Sequence, residues 1–272
     1  MKIHFLGTAA AEGWPGMFCA CAYCRNAAEI GGKNLRTRFS MHINDSHKID
    51  FPPDTYYHKL RYGLDLAGIK HLFITHSHRD HFACQELQNR RPPFAHIDND
   101  DGLVIYGNDA VKAIIEEEVL HENSGIKFCP AEPFKQITAD DIIATPLAAD
   151  HAGEETAVFY LFYSPDEQKS ALVANDTGWF PEETLNHLSG LKLDFVSFDC
   201  TNGNIRQRKG HMGVNGVIEM KILMEKRGIL NPSARCFATH FSHNGALLHS
   251  GLEEVLNPAG IEVAYDGLVV EV

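Results

Sequence analysis

Four side chains of types that bind metal ions lie within six residues of this chain. The largely apolar run IKHLFI is followed directly by THSHRDH, in which the four side chains are His76, His78, Asp80 and His81. On an extended backbone, residues two apart project from the same side, so His76 and His78 can meet at one point. Asp80 and His81 begin a helix-like pattern and can turn towards a second point nearby. The segment therefore predicts two adjacent metal ions at the end of a β-strand.

Composition indicates an ordinary globular chain. The 272 residues include 24 Lys and Arg against 36 Asp and Glu, for a formal net charge of −12, and 44% are hydrophobic. This balance excludes disorder and disfavours non-specific binding to nucleic acid or an anionic membrane. Residues 1–11 hold too short an apolar run for a signal peptide, and no run approaches the roughly 20 residues of a membrane span. We predict a single domain over residues 1–272, a cytoplasmic location with reduced thiols, and no membrane partner.

Short strand-like runs recur along the chain, with helical patterns between some of them. The predicted strands are 2–6, 38–43, 48–51, 70–75, 103–106, 142–146, 156–163, 170–174, 193–198, 235–239 and 261–264. The predicted helices are 54–66, 109–121, 181–188, 214–227 and 245–256. Because strands and helices do not alternate strictly, the pattern favours an α/β protein (α+β by strict class) with sheets covered by helices.

Three more ligand-type residues follow strand-like runs further along the chain. His151 comes after run 142–146, Asp176 after run 170–174, and His240 after run 235–239. Sites built on loops at one edge of a sheet place their ligands in this way. The three residues therefore extend the candidate site that begins at His76.

A second candidate metal site comes from Cys19, Cys21 and Cys24, which form C-x-C-x-x-C in a segment rich in Gly and Pro. Three thiols so close together in a reducing compartment are more typical of metal ligands than of a disulfide. A closed tetrahedral zinc site needs a fourth ligand from elsewhere in the chain. The other four cysteines lie in or beside apolar runs, which is typical of buried small side chains.

The H-x-H-x-D-H motif with these later ligands resembles the metallo-β-lactamase fold superfamily. The resemblance implies a four-layer αββα sandwich, with two mixed sheets inside and helices outside, and a dinuclear site of two divalent ions, Zn or Mn. It assigns His76, His78 and His151 to one ion, assigns Asp80, His81 and His240 to the other, and makes Asp176 the bridging ligand. Asp80 and Asp176 thereby also become catalytic candidates.

The three cysteines point to a narrower branch. The motif set resembles the phosphoribosyl cyclic phosphate phosphodiesterases of phosphonate breakdown, in which a histidine three places after the last active-site histidine completes a structural zinc site. His243 lies three residues after His240, so Cys19, Cys21, Cys24 and His243 would form a Cys₃His site within a zinc-binding loop insertion at 13–32. A branch of cofactor-biosynthesis proteins shares the cysteine motif, so the substrate stays open.

The resemblance also bears on proton transfer. His211 is the candidate acid, because family members place a catalytic histidine near this region and histidine titrates near neutral pH. Arg206, Arg208 and Lys209 form a local positive stretch that either holds substrate phosphate or is a solvated turn. Asp54 and Asp199, near strand ends, are candidate partners for metal-bound imidazoles.

We therefore predict a metal-dependent hydrolase that cleaves a small phosphate diester, cyclic diesters included, with a metal-bridging hydroxide. A transfer-RNA 3′-processing type of ribonuclease is the alternative enzyme, although the acidic charge disfavours nucleic acid. A non-catalytic, metal-stabilised binding or carrier protein is the alternative of a different class. The expected partner is a small phosphate-containing substrate, and the resemblance adds the expectation of a homodimer.

Overall fold

The computed structural model describes residues 1–97, 102–120 and 125–272, and within them the chain forms fourteen strands and six α-helices. The strands are β1 (Lys2–Gly7), β2 (Ser40–Ile43), β3 (His47–Ile49), β4 (His71–Phe73), β5 (Leu103–Gly107), β6 (Ile126–Pro130), β7 (Ile137–Ala139), β8 (Ile142–Ala148), β9 (Val158–Ser164), β10 (Lys169–Ala174), β11 (Leu193–Asp199), β12 (Leu230–Thr239), β13 (Glu262–Val263) and β14 (Val269–Glu271). The helices are α1 (Ala22–Ile30), α2 (Thr55–Tyr62), α3 (Asp109–Glu118), α4 (Glu182–Leu188), α5 (Val214–Lys226) and α6 (His249–Leu256).

The strands form two seven-stranded mixed sheets. The first has the order β14-β1-β2-β3-β4-β5-β6, in which β3 to β6 are parallel and the remaining pairs are antiparallel. The second has the order β13-β12-β11-β10-β9-β8-β7, in which β10 to β13 are parallel and the remaining pairs are antiparallel. The predicted fold class, two mixed sheets with helices outside, is confirmed.

Three apolar layers hold the four-layer arrangement together. Between the sheets, side chains such as Phe5 and Phe73 from the first sheet pack with Phe162 and Phe195 from the second. The outer face of the second sheet packs against α4, α5 and α6, and the outer face of the first sheet packs against α3. Burial of apolar surface in these layers is the main stabilising contribution.

Elements that the sequence analysis did not predict lie mostly at the margins of the sheets. Strands β6, β7 and β14 are edge strands, and edge strands bury fewer of their side chains, which weakens the apolar signal. Helix α1 lies inside segment 13–32, which was expected to be a loop. Predicted helix 109–121 ends at Glu118, and its last residue, His121, lies outside the described residues. No helix in the described ranges is long and apolar enough to cross a membrane.

The loops that follow β4, β8, β10 and β12 meet at one edge of the sandwich. Two contacts across the sheets fix that edge: the Val158 N–H donates to the Thr75 carbonyl at 3.0 Å, and the Tyr160 hydroxyl donates to the Ile74 carbonyl at 2.9 Å. These contacts join the exit of β4 to β9 in the other sheet. Ligand-type side chains from both sheets are thereby brought together.

Candidate metal centre

His76, His78 and His151 form the first ligand group. The Nε2 atom of His76 lies 2.9 Å from Nδ1 of His78, and the ring centre of His151 lies 4.9 Å and 5.4 Å from the rings of His76 and His78. One nitrogen from each of the three imidazoles lies within 4.8 Å of one nitrogen of each of the other two. His76 is buried, whereas His78 is partly exposed, so this group lies at the mouth of the site.

Asp80, His81 and His240 form the second group, and Asp176 lies between the two groups. The Oδ2 atom of Asp176 is 2.7 Å from His81 Nε2 and 3.0 Å from His240 Nε2, and its Oδ1 atom is 3.7 Å from His151 Nε2. Asp80 Oδ2 lies 3.0 Å from His81 Nε2. The Asp176 carboxylate therefore faces residues of both groups, which is the arrangement expected of a bridging ligand.

The polar atoms at this point fit a metal centre better than a hydrogen-bonded cluster. In the part of the chain that the structure describes, Nε2 of His81, His151 and His240 and Oδ2 of Asp176 are buried, and the short contacts among them do not have hydrogen-bond geometry. Buried polar atoms are nearly always satisfied, and four unsatisfied ones converging on one place call for an ion. Imidazole and carboxylate ligands suit Zn²⁺ and Mn²⁺ alike.

The nitrogens on the far side of these imidazoles are held by other residues. Nδ1 of His81 lies 2.6 Å from Asp50 Oδ2, and Nδ1 of His76 lies 2.9 Å from the Thr75 hydroxyl. On the exposed side, His78 Nε2 lies 3.2 Å from Glu154. Partners of this kind fix the tautomer and the orientation of an imidazole, so that its other nitrogen points at the metal.

His240 is held in the same way from the second sheet. Its Nδ1 atom lies 2.8 Å from the Thr201 hydroxyl and 3.3 Å from Asp199 Oδ2. Thr201 donates in turn to Asp199 at 2.9 Å. Asp199 therefore occupies the supporting position that the sequence suggested for it. Asp54 does not, because its carboxylate accepts from Arg38 at 3.0 Å, and Asp50 supports the metal group instead.

The electrostatics of the site favour a cation at its centre. Burial lowers the pKa of His76 well below its usual range, and nearby His81 adds to the effect, so the ring is neutral and able to bind a metal. Burial opposes a charge on His240 too, but the Asp176 carboxylate outweighs it and raises that pKa to about 10. An environment that attracts a proton to His240 also attracts a metal ion.

Two of the candidate ligands and one supporting residue have a backbone conformation that is uncommon for residues other than glycine. Asp176, His240 and Asp50 have φ angles of +48°, +61° and +55°, in the left-handed region that L-residues rarely adopt. Each lies one or two residues after a strand, where the chain turns and aims a side chain along the edge of the sheet. Strain of this kind is concentrated at functional sites.

The three cysteines and His243 form a separate cluster. Nδ1 of His243 lies 3.8 Å from Cys19 Sγ and 3.6 Å from Cys21 Sγ, and Cys24 completes the group within 4.8 Å. Cys21 is the N-cap of α1, and the Cys24 backbone N–H donates to its sulfur at 3.3 Å. That hydrogen bond lowers the pKa of Cys21 to about 6, which favours a thiolate at neutral pH. These four donors fit a tetrahedral Cys₃His zinc site.

The cysteine cluster is joined to the loop that bears His240. On its far side, His243 Nε2 faces Glu12 at 3.5 Å. The backbone pairs as well, because the Phe241 N–H donates to the Thr8 carbonyl at 2.9 Å and the Ala10 N–H donates to the Phe241 carbonyl at 3.0 Å. The N-terminal segment therefore holds Phe241, the residue next to His240, by two backbone hydrogen bonds.

His211 lies beside the two candidate ligand groups, and its ring also falls in a group with Asp176, Asp199 and His240 whose ligand-type atoms lie within 4.8 Å of one another. Its Nδ1 atom is 3.0 Å from Asp199 Oδ2 and 3.8 Å from Asp176 Oδ1, and its ring is 4.8 Å from that of His151. The arginines just before it do not point freely into the site. Arg208 pairs with Glu219 and stacks on a tryptophan ring, and Arg206 lies 3.7 Å from the same Glu219.

The structure thus brings every predicted metal ligand into one of two clusters and places His211 and Asp199 beside one of them, whereas Asp54 pairs with Arg38. The supporting residues Asp50, Thr75, Thr201, Glu154 and Glu12 were not predicted. A weak signal existed for Asp50 alone, because it is an acidic residue inside the predicted strand 48–51, two positions before a pair of prolines. The others are ordinary residue types whose positions depend on tertiary structure.

Comparisons with known proteins agree with this architecture. A family model described as a beta-lactamase superfamily domain matches residues 49–241. Among solved structures, a new diphosphatase from the PhnP family has a TM-score of 0.77 and 22% identity, with 100% of this chain and 97% of that chain covered. Zn²⁺-bound PqqB from Methylobacterium extorquens has a TM-score of 0.79 and 16% identity, with 100% of both chains covered.

Human tRNase Z, short form, has a TM-score of 0.66 and 15% identity, with 100% of this chain and 99% of that chain covered. No curated protein sequence matches the chain. At these identities the three structures establish a shared fold over the whole chain, and no more than the fold.

Proposed function

Because the chain belongs to the beta-lactamase superfamily, we propose that it is a metal-dependent hydrolase acting on a small phosphate diester. One observation carries the proposal: the Asp176 carboxylate faces His81, His151 and His240 and also lies 3.8 Å from Nδ1 of His211. A candidate bridging ligand and a candidate proton donor thus lie next to each other. Hydrolysis of a phosphate diester needs positive charge that stabilises the phosphate oxygens and a group that protonates the departing oxygen.

The ligand groups can be assigned as the sequence suggested. His76, His78 and His151 would hold one divalent ion, Asp80, His81 and His240 a second, and Asp176 would bind both. Zinc or manganese ions there would lower the pKa of a water molecule and offset the negative charge of the phosphate. The cysteine cluster would hold a third ion, zinc, which would stabilise the fold.

His211 has the surroundings of a proton donor. Burial lowers its pKa, but the charge of Asp199 outweighs burial and raises the pKa above the ordinary value for histidine. Asp199 accepts from Nδ1, which orients the ring and leaves Nε2 as the nitrogen that can donate to the leaving oxygen. A raised pKa favours the protonated ring, which is the form that a general acid needs.

The substrate class rests on the combination of the two clusters. The paired Cys₃His and His/Asp clusters resemble phosphodiesterases, and the PhnP-family structure that shares the fold is described as a diphosphatase. The formal charge of −12 does not count the ions, so the site can be positive in an acidic chain. We propose a small phosphate diester, cyclic diesters included, as substrate, and a cytoplasmic location.

The proposal is tested with protein reconstituted with Zn²⁺ or Mn²⁺ and bis(p-nitrophenyl) phosphate as the first substrate. Asp176→Ala should abolish turnover while circular dichroism shows an unchanged fold. Asp166→Ala, an exposed change in the turn between β9 and β10, is the matched control and should keep full activity. Unchanged turnover in Asp176→Ala would contradict the bridging assignment.

The natural substrate class is tested with a panel of cyclic phosphodiesters, precursor transfer RNA, a lactone and a thioester. The proposal predicts that a cyclic phosphodiester is the best substrate. Preferred cleavage of precursor transfer RNA would establish the ribonuclease alternative. Tight binding of a diester with no turnover of any compound would establish a binding or carrier protein.

A further inference from the structure

Asp150 lies next to the ligand His151, yet its own contacts lie on other loops. Its backbone N–H donates to the Thr177 hydroxyl at 3.0 Å, and its carbonyl accepts from the Gly178 N–H at 3.1 Å. Its side-chain Oδ2 atom accepts from the Gly210 N–H at 3.0 Å. One residue therefore joins the loops that bear His151, Asp176 and His211.

The three loops approach so closely that only glycine fits at their meeting point. A Cβ on Gly178 would lie 2.2 Å from the Arg208 carbonyl, 2.5 Å from Asp150 Oδ2 and 2.7 Å from Gly210 N. Beside it, the Trp179 N–H donates to the Arg208 carbonyl at 2.6 Å. Contacts this tight fix the 208–211 segment relative to the loop of Asp176.

The other supports of His211 come from its own side of the site. Asp199 accepts from its ring and from the Met212 N–H at 3.1 Å, and Asn202 donates to its carbonyl at 3.0 Å. These contacts hold the residue and the chain that follows it. Immediately before His211, the Gly210 N–H donates to the side chain of Asp150, which belongs to the loop that bears His151.

We propose that Asp150 is a positioning residue for His211, tying the proton donor to the loops that carry His151 and Asp176. This assignment rests on the proposed function of His211 as the acid. The backbone of Asp150 holds the loop of His151, and its hydrogen bonds survive any substitution at position 150. The hydrogen bond from Gly210, in contrast, needs the side-chain oxygen. A change of side chain at position 150 should therefore affect His211 and spare the metals.

The test compares Asp150→Ala, which removes the acceptor, with Asp150→Asn, whose amide oxygen can still accept from Gly210. On metal-reconstituted protein with bis(p-nitrophenyl) phosphate, Asp150→Ala should lower kcat by up to about 100-fold, because a small displacement of a reacting group costs that much. KM and metal content should stay unchanged, and Asp150→Asn should restore most of kcat.

Two further measurements separate positioning from general damage. In His211→Ala, adding Asp150→Ala should cause no further loss, because the two changes act on one group. The amide of Gly210 should exchange with solvent faster in Asp150→Ala than in the parent protein or in Asp150→Asn, as read by NMR. Additive losses in kcat, or loss of metal from Asp150→Ala, would overturn the proposal.

The exchange measurement needs no substrate, so it also distinguishes this inference from the proposed function. If no diester is turned over but Gly210 exchange responds as stated, the proposed function fails and the link between the loops stands. Unchanged Gly210 exchange in Asp150→Ala would refute the link whatever the activity.

Discussion

Replacing Lys48 by methionine should stabilise the protein, and the gain should depend on pH. Lys48 lies on β3, is fully buried, and donates to the Ser40 hydroxyl. Burial lowers its pKa from 10.5 to about 7. Ser40 keeps partners without it, because its hydroxyl also donates to the carbonyls of Ile49 and Asp50 at 2.9 Å and 3.1 Å.

The magnitude follows from that shift in pKa. Each pH unit corresponds to about 1.36 kcal/mol, so burying the protonated lysine costs about 5 kcal/mol. Below pH 7 both folded and unfolded chains are protonated at Lys48, and the folded protein bears the whole cost. Between pH 7 and 10.5 the unfolded chain binds more protons, so stability rises with pH. The remaining cost at pH 9 is about 2 kcal/mol.

The assay is equilibrium unfolding in urea at pH 6 and pH 9. Lys48→Met should be more stable than the parent by about 5 kcal/mol at pH 6 and by about 2 kcal/mol at pH 9. Lys127→Met, which changes an exposed lysine on β6, is the control and should show little difference at either pH. An equal gain at both pH values, or a loss of stability at pH 6, would refute the reasoning.

Two further predictions concern the clusters. Asp50→Asn removes the charged acceptor of His81 Nδ1 and should weaken metal binding at the dinuclear site by about 10- to 100-fold, measured by competition with a chelator; unchanged affinity would show that Asp50 does not support His81. Cys21→Ser should lower both bound zinc and the free energy of unfolding, whereas Cys84→Ser, which changes a buried cysteine outside the clusters, should leave the zinc content unchanged; a Cys21→Ser protein with full zinc content would contradict the Cys₃His assignment.

The candidate ligands of the His/Asp cluster could be identified from the sequence because their positions depend on local pattern. The spacing of His76 and His78 is a property of an extended backbone, and Asp80 and His81 follow within the same turn. His151, Asp176 and His240 could be found because each comes after a strand. Loops after strands of a sandwich collect at an edge, so position along the chain predicted position in space.

The supporting residues depend on pairings that no local pattern encodes. Asp50 lies 31 positions from His81 and reaches it only because β3 and β4 are parallel neighbours. Asp54, four residues further on, was the predicted partner, but its carboxylate accepts from Arg38. Choosing between two nearby acidic residues requires the register and the left-handed turn at Asp50.

Segment 13–32 shows a second kind of limit. The sequence identified its cysteines, but Gly, Pro and Cys suggested a loop throughout. Helix α1 forms because the side chain of Cys21 caps its first turn by accepting the Cys24 N–H, and Ala27 packs into the core. Cysteine is not among the residues expected at an N-cap, so the start of the helix was not visible in the sequence.

We propose that this chain binds metal ions at two separate centres, the His/Asp cluster for catalysis and the cysteine cluster for structure. Elemental analysis of gently purified protein tests it most directly. The account predicts about three divalent ions per chain, and two in a Cys21→Ser variant that still folds. One ion or none per chain in the parent protein would contradict it.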